Sequence, residues 1–155
     1  MEALVAYYSR TGYTKKLAED ISSELGGESE EIIDMKDRSG VLGYLRSSWG
    51  AMRGKRPEIK EPEYDPTDFD VTIIGTPLWV QRPATPVVTY LDKYSKRFNK
   101  TAYFCTLGGS GEEKTFRRME ELAKEPLDTL SLTTNTVKEG DYQHEVKRFI
   151  DGLKV

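Results

Sequence analysis

The chain has 155 residues, of which 37% are hydrophobic and 32% charged, and its mean hydropathy of -0.62 excludes a disordered or membrane-embedded protein. Its 26 acidic and 23 basic residues give a net charge of -3, which offers no general attraction for nucleic acid or an anionic membrane. One domain is expected over residues 1–155, and the lack of a signal-peptide pattern predicts a cytoplasmic protein without membrane insertion.

The first predicted unit is a strand, a tight loop and a helix. Residues 3–8 form a short apolar run that stops at Ser9, which is typical of a strand buried on both faces of a parallel sheet. Apolar residues then recur at helical spacing, at Leu17, Ala18, Ile21 and Leu25. Gly26 and Gly27 end this helix.

The same unit repeats along the chain. Further strands are predicted at 29–35, 71–75, 101–107 and 127–134. Helices are predicted at 84–94, 112–124 and 141–153. Five strands that alternate with helices predict a three-layer α/β sandwich with a five-stranded parallel sheet. The second strand has the weakest apolar pattern, so we expect it at an edge.

One segment interrupts this alternation. Residues 39–56 read as an inserted helix, with apolar residues at Leu42, Leu45, Trp49 and Met52. From Lys36 to Lys60 the chain has seven Lys or Arg and two acids, so positive charge is concentrated there. The segment is either a helix packed on the core with solvated arginines or an interaction surface at the edge of the protein. Such a surface would form a homodimer or guide an anionic partner.

The loop after the first strand carries three hydroxyl groups and a glycine directly before a helix. Its residues are Ser9, Arg10, Thr11, Gly12, Tyr13 and Thr14. Unpaired N–H groups and the positive end of the helix dipole suit a phosphate group at such a place. An ordinary helix cap is the alternative, but a cap needs one hydroxyl and this loop has three.

This pattern, Ser9-x-Thr11-Gly12-x-Thr14 after the first strand, resembles the FMN-phosphate loop of the flavodoxin family. The loops after the third and fourth strands are also similar to the family's ring-binding loops, at Thr76, Pro77, Leu78, Trp79 and Val80 and at Thr106, Leu107, Gly108, Gly109 and Gly111. The resemblance covers nearly the whole chain and implies the strand order 2-1-3-4-5. It also implies FMN as cofactor, with Trp79 against the flavin ring. Trp79 as a core residue is the alternative.

Other chemistry-bearing residues favour structural roles. Cys105 lies inside the fourth predicted strand and reads as a small buried hydrophobe. His144 is the only histidine and falls in the last predicted helix, so neither a histidine-based metal site nor a catalytic triad is expected. No metal is predicted, and no side chain need act as an acid or base because a bound flavin carries the redox chemistry.

Three functions remain open under this resemblance. The loop Leu107 to Lys114 has no aromatic residue, and the overall charge is far less acidic than in carrier flavodoxins. Both features favour an FMN-dependent NAD(P)H oxidoreductase with a quinone-like or protein acceptor. Arg10, Arg82 and Arg117 would then meet the phosphates of NAD(P)H, unless they are simply solvated. A non-enzymatic electron carrier is the second reading, and a fold relative that has lost flavin is the third.

Overall fold

The structure is a computed structural model that describes residues 1–36 and 56–154. Five parallel strands form one sheet in the order β2-β1-β3-β4-β5, which confirms the predicted fold class and strand order. The strands are β1 (Ala3–Tyr7), β2 (Glu28–Glu31), β3 (Val71–Pro77), β4 (Lys100–Leu107) and β5 (Pro126–Thr133).

Helices connect the described strands and cover both faces of the sheet. They are α1 (Tyr13–Leu25), α2 (Thr85–Tyr94), α3 (Glu112–Leu122), α4 (Thr134–Glu139) and α5 (Gln143–Gly152), with 3-10 helices at Pro66–Asp68 and Ser95–Arg97. None of the described helices is long and apolar enough to cross a membrane. The predicted inserted helix at 39–56 falls almost entirely outside the described residues.

Side chains alternate between two hydrophobic clusters because successive residues of a strand point to opposite faces. In β1, Val5 and Tyr7 pack with α1, α4 and α5, whereas Ala6 packs with α2 and α3. Both clusters include residues that are fully buried, among them Phe149 on the first side and Tyr90 on the second. The central strands are therefore buried on both faces, as the apolar run of residues 3–8 predicts.

The second strand lies at the sheet edge as predicted, but its predicted range of 29–35 is wrong. The strand ends at Glu31, and the chain then turns toward residues 56–60 through an antiparallel bridge between Asp34 and Ile59. Ile32 is buried while Ile33 is 42% exposed, so this apolar pair marks the exit from the sheet. The polar strand β2 pairs with β1 along its whole length, and Glu30 Oε2 also accepts hydrogen bonds from the N–H groups of Glu63 and Tyr64.

The helix α4 was not predicted, since the fifth strand was expected to end at residue 134 and the next helix to begin at residue 141. Thr133 caps this helix through a hydrogen bond from the Thr136 N–H to its Oγ1, at 3.1 Å. Gly140 ends it in the left-handed conformation. The threonine and the glycine are recognisable helix boundaries, and they could have been read from the sequence.

Cys105 is fully buried in β4, which confirms its assignment as a core residue. Burial raises the pKa of its thiol to about 12, and Glu112 adds a smaller electrostatic contribution. The folded protein therefore keeps a proton that the unfolded chain loses near its ordinary pKa of about 8.5. This contribution to stability is complete below that value and is lost as the pH rises toward 12.

We expect this loss to be specific to the thiol. Between pH 9 and 10.5 the Cys105 contribution should fall by about 1.4 kcal/mol per pH unit. Urea unfolding at several pH values would measure it, with Cys105→Ala as the comparison because it has no thiol to titrate. The stability gap between the parent and Cys105→Ala should narrow steadily with pH. A constant gap would contradict the burial argument.

Candidate functional site

The candidate site lies at the carboxyl end of the sheet, where the strand order reverses. The connection from β1 leads to β2 on one side, and β3 lies on the other side of β1. Adjacent crossover connections that depart in opposite directions leave a crevice beyond the strand ends, and open α/β sheets bind ligands there. The loops after β1, β3 and β4 meet at this crevice.

The loop after β1 ends in a helix start whose backbone donors are unpaired. Gly12 adopts φ 98 directly before α1, and no side chain caps the helix. The Gly12 carbonyl accepts the first helical bond, from the Lys16 N–H at 3.0 Å. The preceding N–H groups of the first turn therefore have no partner within the helix. The first turn of α1 also contains no acidic residue that would repel an anion.

The three hydroxyl groups of this loop have different environments. Ser9 Oγ accepts a hydrogen bond from the Gly12 N–H at 3.1 Å, which leaves its own proton available. Thr11 is exposed, and its hydroxyl bonds to no described residue. Thr14 is 2% exposed, and its Oγ1 lies 2.8 Å from Oγ1 of Thr106 at the end of β4. This buried pair joins the first loop to the third.

The loop after β3 is a tight turn between two short antiparallel segments. Trp79 and Arg82 exchange two backbone hydrogen bonds, of 2.8 and 3.1 Å. Between them Val80 and Gln81 adopt φ 53 and φ 58, a conformation that is unfavourable for residues with a Cβ and that often occurs at functional sites. The N–H groups of these two residues bond to nothing in the described part of the chain.

Thr76, at the end of β3, fixes the base of this turn. Its hydroxyl donates to the Pro77 carbonyl at 2.7 Å and accepts from the Ala84 N–H at 2.9 Å. The Leu78 N–H donates to the Thr106 carbonyl at 3.2 Å, so the turn is also bound to the end of β4. The side chain of Thr76 therefore holds the loop and is not free to donate to a ligand.

Trp79 occupies the core instead of the loop surface. Its indole is 4% exposed and packs edge-to-face on Tyr8, with ring centroids 5.4 Å apart. The exposed apolar side chain of the turn is that of Val80, at 48%. In this structure Trp79 therefore presents no open ring face for stacking, which corresponds to the alternative considered for it in the sequence.

The loop after β4 presents backbone with little side-chain cover. Gly108 and Gly109 are exposed, and a Cβ built on either would have no neighbour within 4 Å. Gly111 has φ 115, and a Cβ there would lie 2.6 Å from Cγ of Gln81. The second and third loops thus meet at a position where only glycine fits. Helix α3 follows, with Glu112 and Glu113 in its first turn.

The three arginines suggested as phosphate contacts are not all together. Arg82 and Arg117 line one cavity, of about 400 Å³, whereas Arg10 lies in the loop after β1. His144 is in α5, and the described residues contain no cluster of His, Cys, Asp or Glu that could hold a metal ion. Apart from Arg10, the donors described above at the crevice are uncharged backbone and hydroxyl groups, which suit an anion and a flat polar ring.

Comparison with known proteins identifies the family of this fold and site. The family described as Flavodoxin matches residues 2–150, and the chain belongs to this family. No curated protein sequence matches the chain.

Solved structures show the same relationship. A flavoprotein from Lactobacillus acidophilus NCFM, crystallised in complex with FMN, is 28% identical over 89% of this chain and 97% of its own, with a TM-score of 0.75. The apo form of the flavoprotein from that organism is 29% identical over 84% of this chain and 91% of its own, with a TM-score of 0.66. Flavodoxin 1 from Bacillus cereus shares the fold at 13% identity, with a TM-score of 0.56 over 99% of this chain and 98% of its own.

Proposed function

We propose that this protein binds FMN at the carboxyl end of β1, β3 and β4 and acts in electron transfer. One observation carries the proposal: three loops with exposed or unpaired donors are joined at the switch point of the sheet. The Thr14–Thr106 pair connects the first and third loops, and the Leu78–Thr106 hydrogen bond connects the second and third. The FMN complex of the similar Lactobacillus flavoprotein supports this choice of ligand.

The residues after β1 fit a terminal phosphate. The uncapped N–H groups at the start of α1 would donate to its oxygens, together with the hydroxyls of Ser9 and Thr11. Thr14 can add a third hydroxyl if it accepts the proton of Thr106 and donates its own. Arg10 and Tyr13 complete the proposed loop.

The residues after β3 and β4 fit a flat polar ring. The free N–H groups of Val80 and Gln81 lie in the second loop, and the open backbone of Gly108 and Gly109 lies in the third. The residues proposed for the ring site are those predicted from the sequence, namely Thr76, Pro77, Leu78, Trp79, Val80, Thr106, Leu107, Gly108, Gly109 and Gly111. Among them Thr76 and Trp79 support the second loop from within the protein and offer no contact to the ring. FMN supplies the redox chemistry when bound, and these residues bind it, orient it and limit its contact with water.

Within this class we favour an FMN-dependent NAD(P)H oxidoreductase with a quinone-like or redox-protein acceptor. The third loop has no aromatic side chain, and Gly108 and Gly109 are exposed, so the described residues leave that side of the proposed ring site open. An open side admits a second flat molecule. A non-enzymatic electron carrier is the alternative, and the cytoplasmic location stays a prediction from the sequence.

Two measurements test this proposal. Purified protein should be yellow, or become so with added FMN, and flavin released by heat should migrate as FMN and not FAD. FMN is expected because the first loop offers one terminal phosphate site. Anaerobic addition of NADPH or NADH should then bleach the flavin absorbance, and a quinone should restore it. FAD, or no flavin after reconstitution, would contradict the site. Retained colour with both nicotinamides would favour the carrier.

A further inference from the structure

A second concave site lies beside the proposed flavin loops, between α2 and α3. The cavity has a volume of about 400 Å³, within the range of small-molecule sites. It begins at the turn after β3, through Gln81 and Arg82, and continues along α3 through Lys114, Arg117 and Arg118. Since Gln81 also contacts Gly111, the cavity and the proposed ring site share the same turn.

The side chains that line the cavity are strongly basic. Four of them are cationic, and Glu121 is the only carboxylate among the described lining residues. That carboxylate already pairs with Arg118, whose Nη1 is 3.4 Å from Oε2 of Glu121. The lining therefore has an excess of positive charge, although the whole chain carries a net charge of -3. Such a local excess in a concavity attracts anions.

A buried hydroxyl without a partner lies in the same lining. Thr85 is 1% exposed, and its Oγ1 makes no hydrogen bond within the described part of the chain. A buried hydroxyl left unpaired costs about 1–3 kcal/mol. An acceptor brought by a ligand would satisfy it.

We propose that this cavity binds the monoester phosphate of a small-molecule redox partner. The proposal rests on the proposed function, because it places the partner next to the flavin. A phosphate monoester carries a charge of about -1.5 to -2 at pH 7 and has three strong acceptor oxygens. Lys114 and Arg117 supply complementary cations, since arginine can bind phosphate through two parallel hydrogen bonds. Thr85 supplies a neutral donor.

Calorimetry on the FMN-loaded full chain tests the proposal, with NADP⁺, NAD⁺ and inorganic phosphate as probes. The two dinucleotides differ by one phosphate monoester and neither reduces the flavin. NADP⁺ should bind at least tenfold more tightly than NAD⁺, and the difference should shrink as salt is added. Equal affinity for NADP⁺ and NAD⁺ would overturn the proposal, unless inorganic phosphate binds in the cavity. In that case the phosphate chemistry stands and the dinucleotide is not its source.

Variants locate the binding. Lys114→Gln combined with Arg117→Gln should lower the affinity for the phosphate-bearing probe at least tenfold. Lys147→Gln combined with Arg148→Gln is the matched control, because it removes the same charge from α5. Thr85→Val should weaken binding without lowering stability, since the hydroxyl has no partner to lose. Equal effects of the two double variants would overturn the site.

The flavin content of each sample separates this proposal from the proposed function. Absorbance reports FMN occupancy independently of the calorimetric signal. The double variant of α3 should keep full FMN occupancy, because the structure places Lys114 and Arg117 within α3, beyond Gly111, the last residue proposed to bind the flavin. Phosphate binding by a protein that takes up no FMN would refute the proposed function, and with it the redox role of the ligand, but not the phosphate affinity of the cavity. Full FMN occupancy without binding of any probe would refute the proposed phosphate site and would leave the proposed function intact.

Discussion

Gly12→Val is expected to lower the affinity for FMN at least a hundredfold, which corresponds to about 2.7 kcal/mol. A Cβ at position 12 would meet no atom within 4 Å, so the effect does not come from a local clash. It comes from φ 98, which a β-branched residue strongly resists. The backbone must then shift, and the shift moves the donors of the first loop and the start of α1. Fluorescence titration with FMN would measure the loss.

Gly140→Val is the matched control for this variant. Gly140 also has a positive φ, of 83, and open space around its Cβ position, but it ends α4 and is not in any of the three loops. Both variants should lose about 1–2 kcal/mol of stability from the same backbone strain. Only Gly12→Val should lose FMN affinity. An unchanged FMN affinity in Gly12→Val would place the phosphate elsewhere.

Gly75→Ala should destabilise the FMN-free protein by about 3 kcal/mol, at the upper end of the usual cost of overpacking a core. A Cβ at this central position of β3 would lie 2.0 Å from Cζ of Phe104, its neighbour on β4. The ring is fully buried, and in a close-packed core it can move aside only by displacing its neighbours. Urea unfolding would report the loss as a lower midpoint with an unchanged slope.

A control and a compensating change distinguish this clash from a general effect of replacing glycine. Gly109→Ala should change the stability of the FMN-free protein little, because nothing lies within 4 Å of a Cβ at position 109. Adding Phe104→Leu to Gly75→Ala should recover part of the stability, since leucine is smaller than phenylalanine at the point of contact. If the double variant is as unstable as the sum of the two single variants, the contact is not the cause.

The sheet was predictable because its signals are local and strong. Strands β1, β3 and β4 are continuous apolar runs, and such runs occur where helices cover both faces of a parallel sheet. The site followed from the same reasoning, since the ends of parallel strands meet at one edge. The hydroxyls near Gly12 and the glycines after Leu107 were therefore expected at one crevice, and the structure brings these loops together.

The details that the sequence did not predict depend on tertiary packing. The hydrogen bond between Thr14 and Thr106 joins residues 92 positions apart, and neither residue signals the other. Trp79 lies in the core, where its ring makes an edge-to-face contact with Tyr8, a residue 71 positions away in the sequence. Val80 is exposed in a turn with two consecutive positive φ values, at Val80 and Gln81. Neither residue type favours a positive φ, so the sequence does not predict this turn.

Helices α1 and α3 both start at the crevice, but their first turns differ in charge. The electrostatic potential therefore differs between the β1 end and the β4 end of the crevice. Helix α1 starts without an acidic residue, so its positive dipole end is uncompensated, whereas Glu112 and Glu113 oppose the same dipole in α3. An elongated molecule with one anionic end and one neutral end therefore has only one favourable orientation along the crevice. Its charged end belongs beside β1 and its neutral end beside β4, and the reversed arrangement places an anion next to two carboxylates.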